Sequence, residues 1–319
     1  GTAGCGKSVA ARQFFERAVD QGKRPLLVCF NRPLAERMKR LVPDTGMVST
    51  WYGFCDQFVT ERGHQIDFAE MSSDPDFWSK VQDRVVEESV PDTWMFDTLI
   101  VDEGQDFEPE WLDILKLFLR EDHQIVWFED ADQSIRGAGA VDLPGYVTYH
   151  ARTNFRSPER ISTFIAKVLP FEFEIGNSLP GHDVGVHRYA APDDQEKIIG
   201  HLVTEMIRSG FGAQDIAVLT CRGVKNSPLS NVNTLGGRCV RRFTGVYDEN
   251  GHQIFNDGEL LFDSIYRFKG QEAHAVILLD IDPTDDRRAH WERLLFCGMT
   301  RATVRLELLI AGGNGVLNL

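Results

Sequence analysis

Two short stretches of this chain carry residue types and spacings that could do phosphate chemistry. The first, GTAGCGKS from Gly1 to Ser8, satisfies GxxxxGK[ST]. In such a loop the glycines, here Gly4 and Gly6, let backbone N–H groups wrap a phosphate chain. Lys7 reaches the β- and γ-phosphates and Ser8 ligates Mg²⁺. The second stretch, TLIVDEGQD from Thr98 to Asp106, puts acids at the end of an apolar strand. Asp102 is placed to hold Mg²⁺ through water, and Glu103 to polarise an attacking water as general base. An acidic turn capping the following helix is a competing reading, because negative charge near a helix N-terminus is favourable, and Asp106 suits that role. It does not explain why two acids follow a buried strand in a chain that already has a phosphate loop. The two motifs together imply a P-loop nucleoside triphosphatase that uses Mg²⁺, with kinases, transporters and helicases all open.

The elements that must position these residues read as alternating helices and strands. A helix follows the glycine turn over Lys7–Asp20, and Pro25–Phe30 is a buried strand. Pro33 suits the first turn of a helix reaching Leu41. Met47–Thr50 is a short strand, Trp51 to about Arg62 a helix, and Asp74–Ser89 another. Thr98–Val101 is a central strand, Glu108–Leu119 a helix and Gln124–Phe128 the next strand. The pattern restarts after His150 with a helix over Pro158–Val168, strand Val184–Tyr189, helix Asp194–Ser209 and strand Asp215–Leu219. Residues 222–262 read as irregular. Strand Ala275–Ile281, helix Arg287–Cys297 and strand Arg305–Ile310 follow. The alternation predicts α/β domains with mainly parallel sheets. Two are expected, residues 1–150 with a small accessory insertion at 51–92, and residues 151–319 with a short irregular insertion at 222–262.

Composition narrows the classes. The 319 residues carry 34 Lys+Arg against 48 Asp+Glu, a formal charge of −14, so nucleic-acid binding needs a local track rather than global charge. At 42% hydrophobic the chain can bury a core. No apolar run is long enough to cross a bilayer, so no membrane partner is expected. The six cysteines form no CxxC, which fits a reducing, cytoplasmic compartment and argues against a disulfide scaffold or zinc site. A phosphate loop follows a strand and none precedes Gly1, so the chain is expected to be part of a longer one.

Further motifs, in order, give the reading its direction. DEGQD at Asp102–Asp106 resembles the DExQD box of superfamily 1 helicases of the UvrD/Rep type. Cys29–Arg32 and Ser49–Tyr52 resemble that family's early nucleic-acid motifs. Glu129–Ile135 (EDADQSI) resembles GDxxQSI, and Thr153–Ser157 (TNFRS) resembles N[YF]RS. Ser264–Glu272 (SIYRFKGQE) resembles TxHxxKGxE, and Gly298–Ala302 (GMTRA) the terminal VTRA motif. The RFKGQEAHAVIL version, with CRG at Cys221–Gly223, is similar to a compact bacterial subgroup in which some members carry a nuclease-related (NERD) domain.

The resemblance implies two RecA-like domains with an ATP cleft between them. By it, Gln133 contacts the γ-phosphate with Gln105 near it, and Arg156 and Arg301 act as arginine fingers. Phe155 stacks on adenine, Glu272 bonds the ribose, and Gly270 belongs to the nucleotide-binding set. A guanidinium suits this task because phosphoryl transfer spreads negative charge over equatorial oxygens. Single-stranded DNA, with RNA not excluded, is the implied partner. Its candidate contacts are Asn31, Arg32, Thr50, Trp51, Tyr52, Ser264 and Tyr266, with aromatics stacking bases. Packing at the start of an amphipathic helix is the competing role for Trp51 and Tyr52.

The chain departs from the pattern in ways that bear on function. Arg136–Gly139 replaces the aromatics that follow GDxxQSI, Glu129 replaces its glycine, and Tyr52 and Tyr266 replace two histidines. The insertions are also small. The leading expectation is an ATP-dependent DNA helicase or translocase, 3′→5′ by resemblance. The alternative is a DNA-sensing ATPase switch without productive unwinding, serving a nuclease or defence system.

Overall fold

The computed structural model describes residues 1–64, 66, 74–135, 141–247, 253–282 and 287–312. The chain divides into two compact units, Gly1 with Gly6–His150, and Thr2–Cys5 with Ala151–Leu319.

The first unit runs α1 (Lys7–Asp20), β1 (Pro25–Cys29), α2 (Arg32–Leu41), β2 (Met47–Thr50), α3 (Trp51–Thr60), α4 (Phe77–Glu87), β3 (Phe96–Asp102), α5 (Pro109–Lys116) and β4 (Leu119–Trp127). Its four strands pair in the order β2-β1-β3-β4, all parallel. Every residue of β1 is buried, as a parallel strand covered on both faces requires. The two-residue period sorts its side chains. Leu27 and Cys29 pack with Ala11 and Phe15 of α1 on one face. Leu26 and Val28 pack on the other with Trp51, Phe54 and Phe58 of α3 and Val81 and Val85 of α4. The described part of the 51–92 stretch therefore shares one core with the sheet.

The helix expected to reach Leu119 stops at Lys116, and the strand expected from Gln124 begins at Leu119. Phe96 N–H donates to Phe118 O at 2.8 Å, and this backbone bond captures the chain early. The residues that follow, Arg120–His123, are exposed and carry no apolar signal of a strand.

The second unit contains β5 (Thr153–Asn154), α6 (Glu159–Val168), β6 (Glu174–Ile175), β7 (Gly185–Tyr189), α7 (Pro192–Arg208), β8 (Ile216–Thr220), β9 (Thr234–Leu235), β10 (Arg238–Arg241), β11 (Phe243–Tyr247), β12 (Gln253–Phe255), β13 (Leu260–Ser264), α8 (Ile265–Phe268), β14 (Ala273–Ile281), α9 (Arg288–Met299) and β15 (Ala302–Ala311). Its main sheet has the order β7-β15-β14-β8-β13-β10-β9. Among the described residues only β9–β10 pairs antiparallel there. Each unit is thus α/β with a mainly parallel sheet, the RecA-like class.

The described part of the stretch 222–262 is not irregular throughout. It supplies β9 and β10 and most of β13 to the main sheet, and β11 and β12 to a separate antiparallel pair. These strands run two to five residues among Gly, Asn and Arg, and β10 and β13 find their parallel partners far along the chain. Local periodicity carries no trace of such pairing.

Candidate active site

In the first unit the glycine turn leads directly into α1. Gly6 is its N-cap at φ 92°, a left-handed conformation that glycine adopts without strain. No acidic residue occupies the first turn of α1, so its N-terminal N–H groups present an uncompensated positive dipole end. Residues Thr2–Cys5 group with the second unit, where Phe155 N–H donates to Gly4 O at 3.0 Å.

Opposite Ser8 stands the end of β3. Its residues Thr98 to Asp102 are all buried. Asp102 pairs in register with Cys29 of β1 and is wholly buried. Its Oδ1 accepts the Glu103 N–H at 3.0 Å, and the Ser8 side chain is close enough to favour the charged carboxylate. Its Oδ2 is buried and has no protein partner. Burial above all, then the Glu103 charge, pushes the Asp102 carboxyl up to about 6, against the pull of Ser8, Lys7 and the Glu103 N–H. A buried carboxylate oxygen without a donor, beside a serine hydroxyl, is the oxygen-rich setting a hard divalent cation takes. Ser8 and Asp102 therefore fit Mg²⁺.

Glu103 sits at φ 60°, ψ 41°, a left-handed conformation unusual for a side chain with a Cβ. Its Oε2 accepts from Gln105 Nε2 at 2.6 Å, and Gln105 Oε1 in turn accepts the Asp130 N–H at 2.8 Å. That backbone donor fixes which end of the Gln105 amide faces Glu103.

Asp130 is the residue that sequence reasoning missed. It is 1% exposed, and its Oδ2 accepts both Lys7 Nζ at 3.2 Å and Gln133 Nε2 at 2.7 Å. Its Oδ1 accepts the Asp132 N–H at 3.2 Å. One side chain thus joins the phosphate-loop lysine to Gln133, while its own amide orients Gln105. The available signal was the Asp of the GDxxQSI-like segment, which had no role of its own to attract notice. The first unit therefore brings together Lys7, Ser8, Asp102, Glu103, Gln105 and Gln133.

The second unit gathers a different group. Asn154, wholly buried, accepts the Arg156 N–H at 2.8 Å and the Ser157 N–H at 3.0 Å through Oδ1, fixing the backbone that carries Phe155 and Arg156. Phe155 is 61% exposed, which excludes a plain core role. Arg156 Nε donates to Glu272 Oε2 at 3.0 Å and Nη1 to Thr300 O at 3.4 Å. Arg301 is 2% exposed, donating from Nε to Cys297 O at 2.9 Å and from Nη1 to Gln271 O at 3.4 Å. Gly270, at φ 80°, makes the turn into the β14 approach.

The nucleic-acid candidates divide. Trp51 is 0% exposed and stacks on Trp111 with ring centroids 5.0 Å apart. The expectation that it stacks on bases is corrected. The apolar face of α3 must be buried against the sheet, and its first residue goes with it. Tyr52 is half-buried among Phe30, Trp78 and Trp111. Thr50 and Ser264 are both helix N-caps, accepting from Gly53 N–H at 3.0 Å and Arg267 N–H at 3.4 Å, each where a parallel strand passes into a helix. Asn31 is the N-cap position of α2, and Arg32 Nε lies 4.0 Å from Glu36. Tyr266 Oη lies 3.1 Å from His290 Nε2. The segment Arg136–Gly139, where the family's aromatics are replaced, lies outside the described residues.

Two families match the chain. Residues 1–138 match the AAA domain, and residues 260–309 match the UvrD-like helicase C-terminal domain. Together the two matches support a UvrD/Rep-like helicase of superfamily 1. No curated protein matches it. The two domains make this UvrD/Rep-like protein an ATPase of the helicase class, a class that uses ATP with Mg²⁺ and works on nucleic acid. Among the described residues no helix is long and apolar enough to cross a membrane.

Proposed function

We propose that this UvrD/Rep-like protein hydrolyses ATP on single-stranded DNA and moves along it 3′→5′. The observation that carries the reading is the buried Asp102, a carboxylate with a partnerless Oδ2, close to Ser8 and followed by a Glu103 held in place by Gln105. Mg-ATP supplies the transferable phosphoryl group and the cation that offsets its charge. Gly4, Gly6 and the N–H groups opening α1 cradle the phosphates, Lys7 neutralises them, and Ser8 and Asp102 hold the cation. Glu103 accepts the proton of the attacking water. Gln133 sits beside the phosphates through its bond to Asp130. Arg156 and Arg301 serve as arginine fingers, stabilising charge on the equatorial oxygens. Phe155 stacks on the adenine, Glu272 contacts the ribose and Gly270 shapes that approach. Asn31, Arg32, Thr50, Ser264 and Tyr266 contact the single strand.

The burial of Trp51 favours a second reading, a DNA-sensing ATPase switch without unwinding, because it removes one stacking aromatic from the track. ATPase and strand-displacement assays on one preparation, with single-stranded DNA and then RNA, separate the two. Stimulated turnover with displacement supports the motor. Stimulated turnover without it supports the switch, and unstimulated turnover overturns both.

A further inference from the structure

Phe155 is an exposed aromatic with an unusual seat. It follows β5, a two-residue strand paired in parallel with β6 at Asn154↔Ile175. Glu174 N–H donates to Arg152 O at 2.8 Å and Gly176 N–H to Asn154 O at 2.9 Å, so backbone bonds pin both strands around it. A Cβ built on Gly176 would come within 2.6 Å of Phe155 Cδ1 and of Cε1, and within 2.6 Å of Thr153 Cγ2. The ring therefore lies against the Gly176 backbone, where any side chain would stand. Yet Phe155 remains 61% exposed, so the rest of its surface is open. Gly176 has no positive φ, and no backbone conformation there demands glycine. The space that the ring occupies is the reason for it.

We infer that Gly176 is a positioning residue for nucleotide binding. By having no side chain, it lets the Phe155 ring lie down on the β5–β6 pair and present its open face to the base of ATP. This rests on the proposal that Phe155 carries the adenine. A β-carbon at 176 tilts the ring off its seat and spoils base stacking, while leaving the phosphate-binding groups untouched. The polar neighbours are already engaged. Thr153 Oγ1 donates to Glu174 Oε2 at 2.6 Å, and the Asn177 amide donates to Arg156 O at 3.2 Å and accepts the Leu179 N–H at 3.0 Å. On this side, recognition of the base falls to the ring face.

The test measures equilibrium binding of two probes, Mg-ATP and inorganic tripolyphosphate, by isothermal titration. The variants are Gly176→Ala, Phe155→Ala and the double variant. Thr153→Ser and Thr153→Ser/Gly176→Ala are added, because serine keeps the hydroxyl bonded to Glu174 and removes the methyl. That pair leaves the ring as the near obstacle and guards against a folding failure, with thermal unfolding as the check. Phe155→Ala is expected to weaken ATP binding about fivefold or more, since base–aromatic stacking is worth that much. Gly176→Ala, with or without Thr153→Ser, should weaken it about threefold or more by the same stacking scale. Tripolyphosphate binding should not change in any variant, and Gly176→Ala should add nothing once Phe155 is alanine. If Phe155→Ala weakens ATP binding and Gly176→Ala does not, the positioning role is overturned while the adenine platform stands. A Gly176→Ala loss that persists without the ring, or that appears equally with tripolyphosphate, also overturns it. If Phe155→Ala leaves ATP binding unchanged, the platform reading falls and the inference with it.

Discussion

Lys7 Nζ lies 3.2 Å from Asp130 Oδ2, so the phosphate-loop lysine is held by a carboxylate from the segment after β4. The same oxygen accepts Gln133 Nε2, and the Asp130 amide orients Gln105 against Glu103. Lys7, Gln133 and Glu103, proposed above as phosphate ligand, γ-phosphate contact and general base, are thereby wired through one buried residue.

Asp130→Asn keeps the shape and removes the charge that competes with phosphate for Lys7. ATP affinity is expected to rise about fivefold, the equivalent of roughly 1 kcal/mol for a partly buried pair. Titration calorimetry reads this directly. Unchanged or weaker binding means that Asp130 is no competitor for the lysine.

Asp102 titrates higher in the folded protein, about 6, than in the unfolded chain, where the ordinary carboxylate value applies. Between those two values the native state holds a proton that the unfolded state has released. Stability contributed by this group is therefore present at low pH and lost as pH rises through about 6. Asp102→Asn, neutral throughout, should raise the melting temperature at pH 7.5 and change it little at pH 4 in metal-free buffer. Equal shifts at both pH values would refute the assignment. In the parent protein, Mg-nucleotide affinity should fall below about pH 6 as the carboxylate takes up its proton.

Glu103→Gln keeps the bulk of the side chain and gives up the base. Removing a general base costs about 10²–10⁴-fold in rate. Turnover should drop by that order while ATP binding is retained, as seen by comparing kcat with nucleotide affinity. Full turnover in this variant removes Glu103 from the mechanism.

Trp51→Ala is expected to act on stability. Truncating a buried aromatic costs about 3–5 kcal/mol, and the ring stacked on Trp111 is wholly buried. Denaturant melts should show that loss. A variant of parent stability that has lost only its stimulation by single strands would contradict the core placement.

Arg301→Lys retains a charge but not the planar fork that serves both Cys297 O and Gln271 O. Turnover with saturating single strand should fall by at least tenfold, given that arginine fingers are worth about 10³–10⁵ in rate, with ATP affinity modestly changed. Turnover at the parent rate would end the finger assignment.

Much of the site was legible in order along the chain. GTAGCGKS and TLIVDEGQD announce themselves because glycine turns and acid-terminated apolar strands are local patterns, and Ser8, Lys7, Asp102 and Glu103 do converge in the first unit. The parallel α/β class was legible too, since buried runs such as Pro25–Cys29 alternate with amphipathic helices. What the residues alone left open, tertiary packing decided. Whether Trp51 faces solvent depends on which side of α3 meets the sheet, and it turned inward onto Trp111. Asp130 gained its role from Lys7, 123 residues away in sequence. Strands β10 and β13 exist because partners far along the chain complete their hydrogen bonds, and Gly176 matters because Phe155, 21 positions earlier in the sequence, lies on it. Sequence patterns report what neighbours along the chain require of one another. The rest follows from burying apolar faces and pairing buried polar groups, which bring distant residues into contact.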